Sequence, residues 1–172
     1  MDKENKEKYL EDVSKLLLFK FLSYEEKKEL LNLSDIIHYK ASDKIISEGE
    51  IQPYLFGIIK GTVNIIVNEK ENKNVFISSI GEGDVFGEAG IFMKVKRTAN
   101  VVSTENTIIL RVHRDKMLHF IKKHKSAGIQ ILMLIIYSLL RKLREANQEI
   151  AFERKSDVTQ DDIDSIIEDF VY

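Results

Sequence analysis

The sequence predicts a mainly β protein: an antiparallel sheet, closed or sandwiched, with helices at both ends. Three observations lead there. Between Asp35 and His113 the apolar residues fall in short strand-like runs separated by turn residues. On both sides of that region the period returns to that of helices. Many short strands joined by tight turns bury their apolar faces only by folding the sheet onto itself.

The elements follow in order. Leu10, Val13, Leu16 and Leu17 recur at helical spacing, so roughly the first eighteen residues read as an amphipathic helix. Ser23 followed by Glu26 is a capping box that starts a second helix through Leu30 and Leu31. Strand-like runs are Asp35 to Tyr39, Lys44 to Ser47, Tyr54 to Lys60, Thr62 to Asn68, Asn74 to Ile80, Thr98 to Ser103 and Thr107 to His113. In Thr62 to Asn68, Val63, Ile65 and Val67 share one face, and only Ile66 breaks the alternation.

After His113, Asp115 to His124 makes one short helix, and Ser126 is placed to cap a long one running to about Arg154. Along it Ile129, Leu132, Ile136, Leu139, Leu143, Ala146 and Ile150 alternate at steps of three and four, an a/d seam. Ile131, Met133, Leu134, Ile135 and Leu140 add apolar surface on its other sides, so its first half is expected to be covered twice. One side packs on the sheet and the other meets a partner, a second copy of the chain across Ile129–Ile150. Residues 1–155 are expected to form one domain. The tail 156–172, with Ile163, Ile166, Ile167 and Phe170 among acids, reads as one short acidic helix.

Composition narrows the function. With 172 residues the chain is large enough for a full core, and its formal net charge of −2 gives no support for a nucleic-acid partner, which usually needs a basic face. It has no cysteine, and its charged N-terminus is not a secretory signal. The longest apolar run, Ile129 to Leu140, is short for a bilayer and is interrupted by Gln130 and Ser138. A cytoplasmic location with no membrane follows as the expectation. His38, His113, His119 and His124 make no metal-ligand spacing, and neither a Walker lysine nor a nucleophile elbow is present. The expectation is no metal, no cofactor and no enzyme.

The stretch that carries chemistry is Gly81-Glu82-Gly83-Asp84-Val85-Phe86-Gly87-Glu88-Ala89-Gly90-Ile91-Phe92, closing with Arg97-Thr98-Ala99-Asn100. Its glycines allow sharp turns and leave main-chain N–H groups uncovered. A short helical turn after Glu88 directs such groups at an anion. Arg97 adds a fixed charge and a planar fork that suits phosphate oxygens. A carboxylate so close to an anion site conflicts with it unless the ligand also carries a hydroxyl for Glu88. A ribose with a cyclic phosphate meets both demands.

The run Phe86-Gly87-Glu88 continued to Arg97-Thr98-Ala99 closely resembles the phosphate-binding cassette of the cyclic nucleotide-binding domain family. The words around Gly90 look most like the bacterial activators, whereas the Glu88-to-Arg97 spacing looks more like the eukaryotic kinase branch. The resemblance implies an eight-stranded β-roll with the cassette inserted between its later strands. It implies that Glu88 binds the ribose 2′-hydroxyl and Arg97 the cyclic phosphate. N–H groups of Gly87, Glu88 and Ala89, with Gly90, Thr98 and Ala99, would complete the cradle, and Ile91 and Phe92 would contact the C-terminal helices. Thr98 bears on the choice between cyclic AMP and cyclic GMP. Laying the long helix beside that of the bacterial activators puts Ala146 and Asn147 where the polar base contacts lie. Ala146 cannot make one, Asn147 can, and Arg144 is a further candidate by stacking or hydrogen bonding.

The bacterial activators continue into a winged helix-turn-helix, whereas few residues follow the long helix here and their balance is acidic. The expectation is therefore a stand-alone sensor without DNA binding that shifts its C-terminal helices on ligand binding and signals to a separate output protein. The rival is a structural or adaptor module on the same fold whose pocket takes no nucleotide.

Overall fold

The segment Tyr54–Lys60 is apolar on both of its faces, and the strand it forms lies inside the molecule with one layer on each side. The computed structural model describes residues 6–68 and 74–156. Eight strands are present among them: β1 (Asp35–Tyr39), β2 (Lys44–Ile46), β3 (Tyr54–Lys60), β4 (Val63–Asn68), β5 (Asn74–Ile80), β6 (Val85–Phe86), β7 (Asn100–Ser103) and β8 (Thr107–His113). They pair antiparallel in two four-stranded sheets, ordered β1-β8-β3-β6 and β2-β7-β4-β5. The mainly β fold with flanking helices is the one the sequence predicts.

Alternation along β3 and β8 divides the core in two. Phe56, Ile58, Phe86 and Ile109 from the first sheet meet Ile45, Ile46, Val63, Ile80 and Val101 from the second. On the other face of the first sheet, Leu55, Ile59, Val85, Leu110 and Val112 pack with apolar residues of the helices. These helices are α1 (Leu10–Val13), α2 (Tyr24–Leu33), α4 (Arg114–Lys123) and the start of α5 (Lys125–Ser156); a single turn, α3 (Ala89–Phe92), follows β6. Each fully buried aliphatic or aromatic side chain here contributes about 1.5–3 kcal/mol. The expected capping box of α2 is present, with Glu26 N–H donating to Ser23 Oγ and Ser23 N–H to Glu26.

The N-terminal segment differs from the expected single helix. It forms a 3-10 turn at Glu7–Tyr9, then α1, then a second 3-10 turn at Leu17–Phe19, with Leu16 extended between them. Tertiary contacts replace the helical bonds there. Leu17 N–H donates to Gly83 O at 3.0 Å. Leu16 lies over Gly57, where a Cβ would come within 3.1 Å of it. Beside Ile66, where the alternation breaks, the ladder is irregular. Ile65 pairs with Ser78 and Ile66 with Phe76, so β5 carries an extra residue as a bulge.

The long helix begins at Lys125, so Ser126 is inside it rather than capping it. The chain breaks at His124 (φ −109°, ψ 74°), whose N–H still bonds Phe120 O. Its carbonyl then accepts from Gly128 N–H at 2.6 Å. Gly128 is needed because a Cβ there would lie 2.8 Å from Ile121 O.

The chain divides into two units, Met1–Ile135 and Ile136–Tyr172. In the first, α5 contributes Ala127, Ile131 and Ile135 to the helical core, while Ile129 and Met133 are exposed. In the second, Ile136, Leu139, Leu143 and Ile150 are exposed. By length and composition Lys125–Phe152 is apolar enough to cross a membrane. The run Ile129 to Leu140 understated that, because the helix continues past it. Of the expected acidic helix at 156–172, all but Ser156, which ends α5, lies outside the described residues.

Candidate functional site

Strand β6, which the sequence did not reveal, sets the site. Its pairing of Phe86 with Phe56 brings the cassette against β3. The two buried rings stack at 4.9 Å with an interplanar angle of 9°. At Gly87 the chain turns with φ +78°, and a Cβ there would meet Arg97 Nη1 at 2.9 Å and Tyr54 O at 3.1 Å. Glu88 takes the helical conformation that starts α3. Gly90 N–H and Ile91 N–H then donate to Gly87 O and Glu88 O, both at 3.0 Å. Fully buried Ile91 pins this turn to the core, and Glu88 is only 5% exposed.

Arg97 reaches back into the same turn and is 9% exposed. Its Nη1 donates to Gly87 O at 3.0 Å, and its Nη2 donates to Gln52 O and Tyr54 O, both at 2.7 Å. The guanidinium carbon lies 5.8 Å from the centre of the Phe56 ring. Nε is buried with no hydrogen-bond partner among the described residues. Burial pulls the guanidinium below its ordinary pKa, and the Glu88 carboxylate opposes that shift. Arg97 stays charged at any physiological pH. The result is a buried cation beside a buried carboxylate, with main-chain carbonyls taking most of the cation's hydrogens.

The structure thus brings together Phe86, Gly87, Glu88, Gly90 and Arg97. Ala89 and Thr98 are exposed next to them, and Ala99 is half-buried. Arg144 and Asn147 are exposed on the second unit's part of α5. No cluster of metal-ligating side chains exists among the described residues. The sequence did not reveal Gln52 and Tyr54, which act through carbonyl oxygens that no side-chain pattern announces. Nor did it connect the turn at Glu48-Gly49-Glu50 with the site. That turn clasps the Arg97 main chain: Gly49 N–H donates to Arg97 O, and Arg97 N–H to Glu50 O, both at 2.8 Å.

The fold and site together are those of two four-stranded sheets carrying a buried glutamate and arginine on a glycine-rich turn. The chain belongs to the cyclic nucleotide-binding domain family: residues 36–124, more than half of it, match the model of that family. It is 29% identical over 113 residues to the "cAMP-activated global transcriptional regulator CRP" of Haemophilus influenzae, covering 65% of this chain and 49% of that one. It is 30% identical over 96 residues to a "cGMP-dependent protein kinase" of Plasmodium berghei, covering 56% of this chain and 11% of the kinase. Among solved structures, a cyclic nucleotide-binding domain from Methylobacillus flagellatus superposes with a TM-score of 0.75 at 24% identity, covering 88% of this chain and 85% of that one. The chain therefore spans about half the length of the bacterial regulator and a small part of the kinase.

Proposed function

We propose that this chain binds a cyclic mononucleotide, cyclic AMP or cyclic GMP, and acts as a sensor. The observation that carries the reading is Arg97, buried and charged beside Glu88 with Nε unpartnered. Because carbonyls occupy both hydrogens of Nη2 and Nε is enclosed, the phosphate approaches through the second hydrogen of Nη1, and Nε–H becomes available as the side chain turns toward the ligand. Glu88 accepts from the ribose 2′-hydroxyl. N–H groups at Gly87, Glu88 and Ala89 add donors for the phosphate. Thr98, which is exposed, is a candidate to read the base, and Arg144 and Asn147 are the further candidates from sequence for that role.

Ligand binding favours one placement of the C-terminal helices over another. The exposed seam of α5 joins two copies of the chain, and the dimer signals to an output protein in the cytoplasm. The test is calorimetric titration of purified, nucleotide-stripped protein with cyclic AMP and with cyclic GMP. Saturable one-site binding of either supports the sensor. Failure of both to bind at millimolar concentration would overturn it in favour of a structural or adaptor module.

A further inference from the structure

We propose that Asn100 is a positioning residue of this site, fixing through a ring with Glu48 and Asn68 where the Arg97 main chain stands. The inference rests on the reading that Arg97 carries the ligand phosphate. Asn100 opens β7 and is only 6% exposed. Its Oδ1 accepts from Glu48 N–H at 3.2 Å, and its Nδ2 donates to Asn68 Oδ1 at 3.1 Å. Asn68 N–H donates to Glu48 Oε2 at 2.9 Å and closes the ring. Three chain segments are tied at one point: the exit of β2, the last residue of β4 and the first of β7.

The ring matters because sheet pairing stops there. Asn100 pairs with Ile66, and residues 93–99 belong to no strand or helix. Among the described residues, the main chain of Arg97 is bonded by Gly49 and Glu50, one and two residues beyond Glu48. A displaced Glu48 moves that clasp, and the clasp moves the root of the Arg97 side chain. Asparagine suits the position because one short side chain both donates and accepts. Aspartate loses the donor and sets a second carboxylate near Glu48; leucine keeps the size and loses both functions.

The experiment uses Asn100→Asp and Asn100→Leu in the full chain, with two readouts. The first is amide hydrogen exchange without nucleotide. Exchange at Gly49 and Arg97 should speed up by about tenfold or more while the paired β3 and β8 amides keep wild-type rates. Unchanged exchange at Gly49 and Arg97, or a parallel rise throughout β3 and β8, overturns the proposal. The second is affinity for cyclic AMP and cyclic GMP, expected to weaken about tenfold in Asn100→Leu, with the loss disappearing in an Arg97→Lys background. A loss that simply adds to that of Arg97→Lys overturns action through Arg97. A wild-type chain that binds neither nucleotide sinks the sensor reading, and the exchange result still decides the ring.

Discussion

Gly90 and Arg97 are fitted to one another: a Cβ on Gly90 would lie 2.8 Å from Arg97 Nη2 and 2.8 Å from Gln52 O. Gly87 gives a similar clearance at the other terminal nitrogen, Nη1, which a Cβ would approach to 2.9 Å. These two glycines therefore make room for the arginine as well as turning the chain, which links the two ends of the cassette sterically.

Gly90→Ala tests that fit with opposite signs. Helix propensity alone favours alanine by up to about 1 kcal/mol inside a helical turn. Overpacking against Arg97 and a fixed carbonyl costs about 1–3 kcal/mol. Packing should win, so the variant is expected to melt at lower temperature and to bind cyclic nucleotide more weakly. A raised melting temperature would show that the turn relaxes freely.

Arg97→Ala should cost roughly 2–4 kcal/mol of nucleotide binding by removing a charge-assisted phosphate contact. It also strips donors from Gly87 O, Gln52 O and Tyr54 O, so the melting temperature falls as well. Glu88→Gln keeps one acceptor, and its smaller loss should shrink further for a 2′-deoxy ligand. Calorimetry with both ligands separates the roles; equal affinity of wild type and Arg97→Ala contradicts the assignment.

Thr98→Ala addresses the base. If the hydroxyl reads guanine, cyclic GMP binding weakens by about 1 kcal/mol while cyclic AMP binding is nearly unchanged. Parallel losses for the two ligands would confine Thr98 to the phosphate.

Acid should loosen the contact between α2 and the end of α4. Lys123 Nζ donates to both oxygens of Glu29 at 2.8 Å, and His124 Nε2 stands 3.0 Å from Oε2. The Lys123 bond holds the Glu29 carboxyl below its ordinary range, partial burial opposes, and His124 adds to the lowering. The folded state thus favours the carboxylate. Its stabilisation is complete above the unfolded pKa of about 4.3 and is lost as pH falls through the lower folded value. Solvent screening limits it to about 0.5 kcal/mol. Urea unfolding of wild type and Glu29→Gln should differ by that amount at neutral pH and converge in strong acid; a constant gap would rule out the ionic origin.

Leu143→Asp tests assembly. Leu143 is 58% exposed on α5, in line with the exposed Ile129, Ile136, Leu139 and Ile150. Apolar residues kept at a/d spacing among charges are what a two-helix seam requires. Light scattering should find the wild-type chain dimeric at tens of micromolar and the variant monomeric, because the substitution buries a charge at the seam. A monomeric wild type refutes the dimer.

The sequence by itself determined the β class, the position of seven of the eight strands, the α2 cap and, through the stretch from Phe86 to Ala99, the family. Each of these rests on local signals: side-chain period, turn glycines, or a motif whose chemistry is carried by side chains. Tertiary structure decided the rest. Strand β6 is two residues long and exists because Phe86 stacks on Phe56, a partner distant in sequence. The N-terminal helix breaks because Gly83 O competes for Leu17 N–H. Arg97 is seated by carbonyls of Gln52 and Tyr54, and every residue carries a carbonyl, so no side-chain pattern could single out these two. On α5 the period was legible but not its division: Ala127, Ile131 and Ile135 are buried while Ile129, Met133 and Ile136 are exposed. Which stripe of an apolar helix is covered depends on the surface packed against it, and that surface comes from residues far away along the chain.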